Sequence, residues 1–130
     1  KEGKLKWLGF TGAKLDDLMT WIPSRIVLLT LPFCCRRKQK ISETIMEAWN
    51  DGKADPSPNS GISEAIFAYC AEVKMGGINY YKGKEKIKPL IGKYFQNASI
   101  DSVKTILNLT LRLQFAWLLG MSMIIKLLNY

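Results

Sequence analysis

A chain of 130 residues with a formal net charge of +8 and 48% hydrophobic residues has room for one modest core, and its start at Lys1 reads as a piece of a longer protein. Histidine is absent, which excludes Ser-His and Cys-His nucleophile pairs and nearly all catalytic zinc sites. Acid–base or metal chemistry then falls to Asp, Glu, Lys, Tyr or Cys, and any metal is expected to be hard and oxygen-bound, such as magnesium.

Residues 1–17 are mixed polar and end in Asp16-Asp17. Residues 18–35, LMTWIPSRIVLLTLPFCC, are apolar but interrupted by Pro23, Arg25 and Pro32. A straight membrane helix needs about 20 apolar residues and Pro23 ends or kinks a helix, so the segment reads as a broken or marginal span, with a buried soluble helix as the alternative. Arg36-Arg37-Lys38 follow, as at the cytoplasmic end of a span. Residues 41–51 read as an amphipathic helix, with Ser42 as N-cap, Gly52 as stop and Ile41, Ile45, Met46 and Trp49 on one stripe.

Residues 53–61 read as a loop and 62–75 as a central helix with Ile62, Ala65, Ile66, Tyr69 and Val73 on one face, closed by Gly76-Gly77. Residues 78–102 read as loop-rich. Lys82, Lys84, Lys86 and Lys88 alternate there, as a solvated face or one that draws in anions. The last segment, 105–128, is long and apolar with one internal charge, Arg112, expected to snorkel or to face protein; it reads as a transmembrane helix. Region 36–102 holds more than half of the basic residues and is expected on the cytoplasmic side. Cys34, Cys35 and Cys70 have neither metal spacing nor a disulfide framework and read as small buried apolar residues. The expected class is all-α: an integral membrane helical fragment, 1–130, forming the C-terminal part of a single multi-pass membrane domain.

The densest stretch is DPSPNSGISEAIFAYCAEVKMGGINYYKG, Asp55 to Gly83. Two prolines bracket a serine, and Asn59, Ser60 and Gly61 open a helix. Unpaired N–H groups and the positive dipole end at such a start suit a phosphate or carboxylate. Beside an apolar tail, this pattern points to a membrane enzyme acting on a charged small molecule.

LDDLMTWIPSRI, DPSPNSGISEA, MGGINYYKG and KPLIG, in this order ahead of a terminal apolar helix, resemble the C-terminal half of the CobD/CbiB family of cobalamin biosynthesis, the adenosylcobinamide-phosphate synthases. The likeness runs from about Leu15 to the last apolar segment. It implies a mainly helical multi-pass protein of the cell membrane and an ATP-dependent ligation. In that reaction a carboxylate of adenosylcobyric acid is joined to the amine of aminopropanol or its phosphate. ATP and Mg2+ as cofactors, the corrinoid and the amine as partners, and membrane lipid all follow from the likeness, and no nucleic acid does. The matching positions are Asp16, Asp17, Pro23-Ser24-Arg25, Ser57, Pro58, Asn59, Gly61, Glu64, Gly76, Gly77, Tyr81 and Gly83. The chain departs from the family in its central helix, where Tyr69 and Glu72 replace small residues that allow close helix packing.

A ligase of this type needs phosphate positioning, a metal and a base for the amine. Asp16 and Asp17 are expected to hold magnesium, or to cap a helix. Arg25 is expected to clamp a phosphate or carboxylate with its fork, or to pair with Asp16 or Asp17. Ser57, Asn59, Ser60 and Gly61 are expected to cradle a phosphate, or to form an ordinary capped helix start. Glu64 reads as general base, metal ligand or a favourable helix-end charge. Tyr81 reads as a substrate contact or an interface residue. The catalytic set is thus Glu64, Asn59 and Arg25. If 18–35 spans the membrane, Asp16-Asp17 and the SPNSG loop fall on opposite sides, so a re-entrant or partial-depth segment is expected. The rival readings are a non-enzymatic membrane regulator or sensor on a related scaffold and a soluble basic helical domain that binds nucleic acid.

Overall fold

The computed structural model describes residues 6–35 and 40–129, with side chains from Phe10 onward; the Arg36-Arg37-Lys38 cluster lies outside the described residues. Helix α1 (Lys6–Thr30) passes through a 3-10 turn (Leu31–Cys34). Helices α2 (Ile41–Gly52) and α3 (Pro58–Ala71) follow, then strands β1 (Val73–Tyr81), β2 (Lys84–Ile91) and β3 (Gln96–Asn97), and finally helix α4 (Ile100–Leu128). The strands form one sheet in the order β2-β1-β3, antiparallel for β1–β2 and parallel for β1–β3. The all-α expectation is therefore corrected: the chain is mostly helical, with a small three-stranded sheet.

The break expected at Pro23 does not occur. α1 continues through it to Thr30. Proline removes the N–H that the Met19 carbonyl would otherwise accept; the hydroxyl bonds of this stretch, Ser24 to the Trp21 carbonyl at 2.9 Å and Thr20 to the Asp16 carbonyl at 2.7 Å, go to other turns of the helix.

α2 starts at the predicted Ile41 but runs through Gly52 and has Lys40, not Ser42, at its N-cap; of the predicted stripe, Ile45 packs against the core. Thr44, Ala48 and Gly52, four residues apart, are buried, while Ile41, Met46 and Trp49 are exposed. The reason is close approach. A Cβ on Gly52 would sit 2.6 Å from the Ile62 Cα, and one on Gly61 would strike the Gly52 carbonyl oxygen. Only small residues let the two backbones come this near.

α3 is the centre of the fold, with Ile62, Ala65, Ile66, Ala68 and Tyr69 all buried. Leu28 and Leu31 reach it from α1 and the 3-10 turn, and Leu109 and Leu113 join the same core from α4. Each fully buried aliphatic side chain of this kind contributes about 1.5–3 kcal/mol. Tyr69, the departure from the small-residue pattern, is accommodated: its hydroxyl donates to Asp51 Oδ2 at 2.8 Å and its ring meets Phe95 edge-on at 5.2 Å. Asp51 Oδ2 also accepts the Gly92 N–H at 2.9 Å, tying α2, α3 and the end of β2 together.

The predicted helix 62–75 is also corrected. It starts earlier, at Pro58, and stops at Glu72, which adopts the left-handed conformation (φ 53°). Gly76 and Gly77 instead form a bulge in β1, with φ 87° and 80°. A side chain at Gly76 would collide with the Pro89 carbonyl oxygen of β2. Most of the stretch expected to be loop-rich is therefore a hairpin.

α4 begins at a capping box: the Ser102 N–H donates to Ser99 Oγ at 3.2 Å and the Ser99 N–H to Ser102 Oγ at 2.8 Å. Its 29 residues reach roughly 43 Å, beyond the ~30 Å hydrocarbon thickness of a bilayer. Among the described residues it is the one helix long and apolar enough to cross a membrane, and only 6% of its apolar window is buried, unlike a soluble core helix. Arg112 is exposed and donates to the Cys34 carbonyl at 3.4 Å, and Trp117 donates to Thr30 Oγ1 at 3.2 Å. Of the cysteines, Cys70 is buried and Cys34 and Cys35 are half-buried.

Candidate functional site

Polar groups gather on two sides of the start of α3. Pro58 is the first helical residue, where its missing N–H costs nothing. The preceding turn is tied by Asp55, whose Oδ1 accepts the Ser57 N–H at 2.9 Å. The Gly61 N–H returns to the Ser57 carbonyl at 2.9 Å. Asp55 is 9% exposed, so this carboxylate is a structural part of the helix start.

On the α1 side the centre is Asn59, which is buried. Its amide nitrogen donates to the Asp17 carbonyl at 2.7 Å and to Thr20 Oγ1 at 3.2 Å. Its amide oxygen accepts a hydrogen bond from Arg25 Nη1. The same Nη1 donates to Ser24 Oγ at 2.7 Å. The guanidinium lies 5.0 Å from the Trp21 ring centroid and 5.5 Å from that of Trp49, where the ring faces attract a cation. Its Nε is buried with no hydrogen-bond partner. A buried, unused donor on a cation is costly and marks a place where an acceptor would be bound favourably.

Beside this contact a cleft of about 340 Å³ opens between α1 and α3, lined among others by Asp16, Thr20, Ser57, Asn59, Ser60 and Ser63. Asp16 and the SPNSG segment are thus neighbours. They are brought together because α3 lies alongside a continuous α1. Adjacent helical residues point about 100° apart, so Asp16 and Asp17 do not converge on one ion. Asp17 takes part through its backbone carbonyl. Magnesium asks for only one or two protein carboxylates when phosphate oxygens supply the rest, and Asp16 alone fits that role.

On the hairpin side, Lys88 Nζ lies 3.3 Å from both carboxylate oxygens of Glu64 and 3.8 Å from Asp55 Oδ2. The hydrogen bond to Glu64 raises the Lys88 pKa above the ordinary lysine value; desolvation opposes it, and the charges of Glu64, Asp55 and Tyr81 add to the rise. Lys88 stands opposite Gly77 in the hairpin register, so no cross-strand side chain competes for the space it crosses. Tyr81 is exposed at the hairpin tip, opposite Lys84 and close to the Lys86 ammonium.

Sequence reasoning gives no site role to Asp51, Asp55, Thr20 or Ser63, and names Lys88 only as one of the alternating lysines. The signal for Lys88 was present: lysines at every second position put Lys84, Lys86 and Lys88 on one face of a strand. Residues 1–110 match the family model described as CobD/Cbib protein.

The chain belongs to the CobD/CbiB family. It is 39% identical over 120 residues to the cobalamin biosynthesis protein CobD of Synechocystis sp., covering 91% of this chain and 34% of that protein. It is 35% identical over 127 residues to the cobalamin biosynthesis protein CobD of Halalkalibacterium halodurans, covering 92% of this chain and 40% of that protein. The cobalamin biosynthesis protein CobD of Leptospira interrogans is 35% identical over 106 residues, covering 79% of this chain and 33% of that protein. The chain therefore spans about a third to two-fifths of these relatives. No solved structure matches it. In this CobD/CbiB segment, Asp16, Arg25, Ser57, Asn59 and Ser60 meet where α1 contacts α3. Glu64 stands on the hairpin side, Gly61 is closed in by Gly52, and Tyr81 lies away at the hairpin tip.

Proposed function

We propose that this chain is the C-terminal part of a membrane-bound cobalamin-biosynthesis enzyme that joins aminopropanol, or its phosphate, to a carboxylate of adenosylcobyric acid. The observation that carries this reading is the Arg25–Asn59 hydrogen bond beside a cleft whose lining includes Asp16, Ser57, Ser60 and Ser63. It joins two motifs, PSR and SPNSG, that stand apart in the chain and that both belong to the family resemblance. The relatives' shared name, cobalamin biosynthesis protein, supports the pathway.

ATP and Mg2+ supply the activation that turns a carboxylate oxygen into a leaving group. The residues of this chain bind and orient. Arg25, with its free Nε, attracts an anionic oxygen, and the two tryptophan rings fix the guanidinium plane. Asp16 offers one hard oxygen ligand at the cleft wall. Ser60 and Ser63 offer hydroxyls to the same space. Ser57, Gly61 and Tyr81 act around this centre: Ser57 and Gly61 set the path of the backbone, and Tyr81 meets the substrate from the hairpin when the full protein is assembled. Glu64 lies one helical turn beyond Ser60 and, held by Lys88, is the carboxylate assigned to take the amine's proton. α4 anchors the assembly in the cell membrane, with region 36–102 on the cytoplasmic face.

The test uses the full-length parent in detergent with adenosylcobyric acid, aminopropanol or its phosphate, ATP and Mg2+, and mass spectrometry for the amide product. Product from the wild type and its loss in a folded Asn59→Ala variant is the expected result. No product with either amine would overturn the ligase reading and leave the regulator in its place.

A further inference from the structure

The SPNSG segment is fixed from the hairpin as well as from α1. Asp55 holds the Ser57 N–H, and Asp55 is nearly buried. A buried carboxylate persists in one orientation only if its charge is compensated. The ammonium that faces it is Lys88, which also engages both oxygens of Glu64. Lys88 in turn is placed by the register of the hairpin, where the Gly76–Gly77 bulge lies against the Pro89 carbonyl and Gly77 leaves its path open. The chain of contacts therefore runs from bulge to Lys88, from Lys88 to Asp55 and Glu64, and from Asp55 to the first residues of α3.

We infer that Lys88 is a positioning residue: by neutralising Asp55 and holding Glu64, it makes the hairpin the second support of the site at the start of α3. The inference rests on the proposed ligase reading for its catalytic consequence, but its physical content is independent of turnover. Without the ammonium, the Asp55 carboxylate turns toward water and releases the Ser57 N–H. Asparagine at position 55 is neutral and keeps an oxygen for the same N–H, so it removes the need for Lys88 at that point. Arginine at position 88 keeps the charge.

The experiment compares wild type, Lys88→Met, Lys88→Arg and the double variant Lys88→Met/Asp55→Asn of the full-length parent in detergent. Hydrogen exchange is followed at the Ser57 and Gly61 amides, whose N–H groups are hydrogen-bonded. Exchange there is expected to quicken about tenfold in Lys88→Met, with α4 unchanged, and to return to within about twofold of wild type in Lys88→Arg and in the double variant. Unchanged exchange in Lys88→Met overturns the inference. Faster exchange that the Asp55→Asn change fails to reverse also overturns it, because that pattern belongs to hairpin packing alone. Turnover of the same proteins is expected to follow, with a lower kcat in Lys88→Met and recovery in Lys88→Arg. The predicted exchange pattern with an unchanged kcat overturns the positioning role. The predicted exchange pattern with no product even from wild type supports the tether and overturns the ligase reading instead.

Discussion

The two sides of α3 hold its first turns by different physics. Toward α1, the contacts are hydrogen bonds from a buried amide and from a guanidinium that lies over two indole rings. Toward the hairpin, they are ion pairs from one ammonium to two carboxylates. The first arrangement is directional and leaves a donor, Arg25 Nε, unspent. The second is closed on itself, with both carboxylates drawn to Lys88. In the proposed reading the α1 side thus keeps a donor for a ligand, while on the hairpin side Lys88 holds both Asp55 and Glu64.

Removing what both sides share should have the largest effect. A methyl group at Gly61 strikes the Gly52 carbonyl oxygen and lies 2.5 Å from the Asp55 Cβ, neither of which is a flexible side-chain end. Gly61→Ala is expected to cost about 3 kcal/mol, the upper end of the usual overpacking range, measured as thermal unfolding in detergent. A loss under about 0.5 kcal/mol, the ordinary scatter for surface substitutions, would mean that α2 and α3 separate easily.

The α1 side alone is tested by Arg25→Lys. Lysine keeps the charge but loses the planar fork and its place over the two rings. Turnover of the parent enzyme is expected to fall about 10- to 100-fold, equivalent to one charge-assisted hydrogen bond of ~1.5–3 kcal/mol. Full activity would remove Arg25 from the recognition side.

These two sites differ in how far the sequence disclosed them. The range of α2 and the apolar run of α4 followed from periodicity and length. The PSR and SPNSG motifs were visible through the family pattern, though their meeting was not, since hydrogen bonds between Asn59 and residues 17, 20 and 25 leave no local trace. The hairpin was missed for two physical reasons. Gly76-Gly77 looks like a helix stop, yet the residue that takes the left-handed cap is Glu72, against propensity. Alternating lysines look like a solvated loop, although a period of two is also the strand period. Pro58 falls in the stretch 53–61 read as a loop, whereas proline is favoured at the first position of a helix.

A smaller effect is expected at the root of the hairpin, where Tyr69 joins α3 to Asp51. Tyr69→Phe deletes one hydrogen bond to a carboxylate that still has the Gly92 N–H as a partner. The expected cost is about 1.5 kcal/mol in unfolding, with turnover changed less than by Arg25→Lys. An equal loss of turnover would show that the two sides of α3 are not separate in function.

The smallest effect concerns pH, and its sign follows from Lys88. Its pKa is raised in the folded state, mainly by the hydrogen bond to Glu64. A raised lysine pKa means that the folded protein holds this proton more tightly than the unfolded chain. The stabilisation is fully present below the ordinary lysine value of 10.5 and is lost as pH rises through the higher folded value. Between about pH 7 and 9 the contribution of Lys88 to stability is therefore flat, because lysine stays protonated in both states. Wild type should lose more stability than Lys88→Met between about pH 10 and 12, since only wild type has this proton to release. Parallel curves for the two proteins across that window would mean that the ammonium does not stabilise the folded hairpin side, and would leave the α1 contacts as the support of the SPNSG segment.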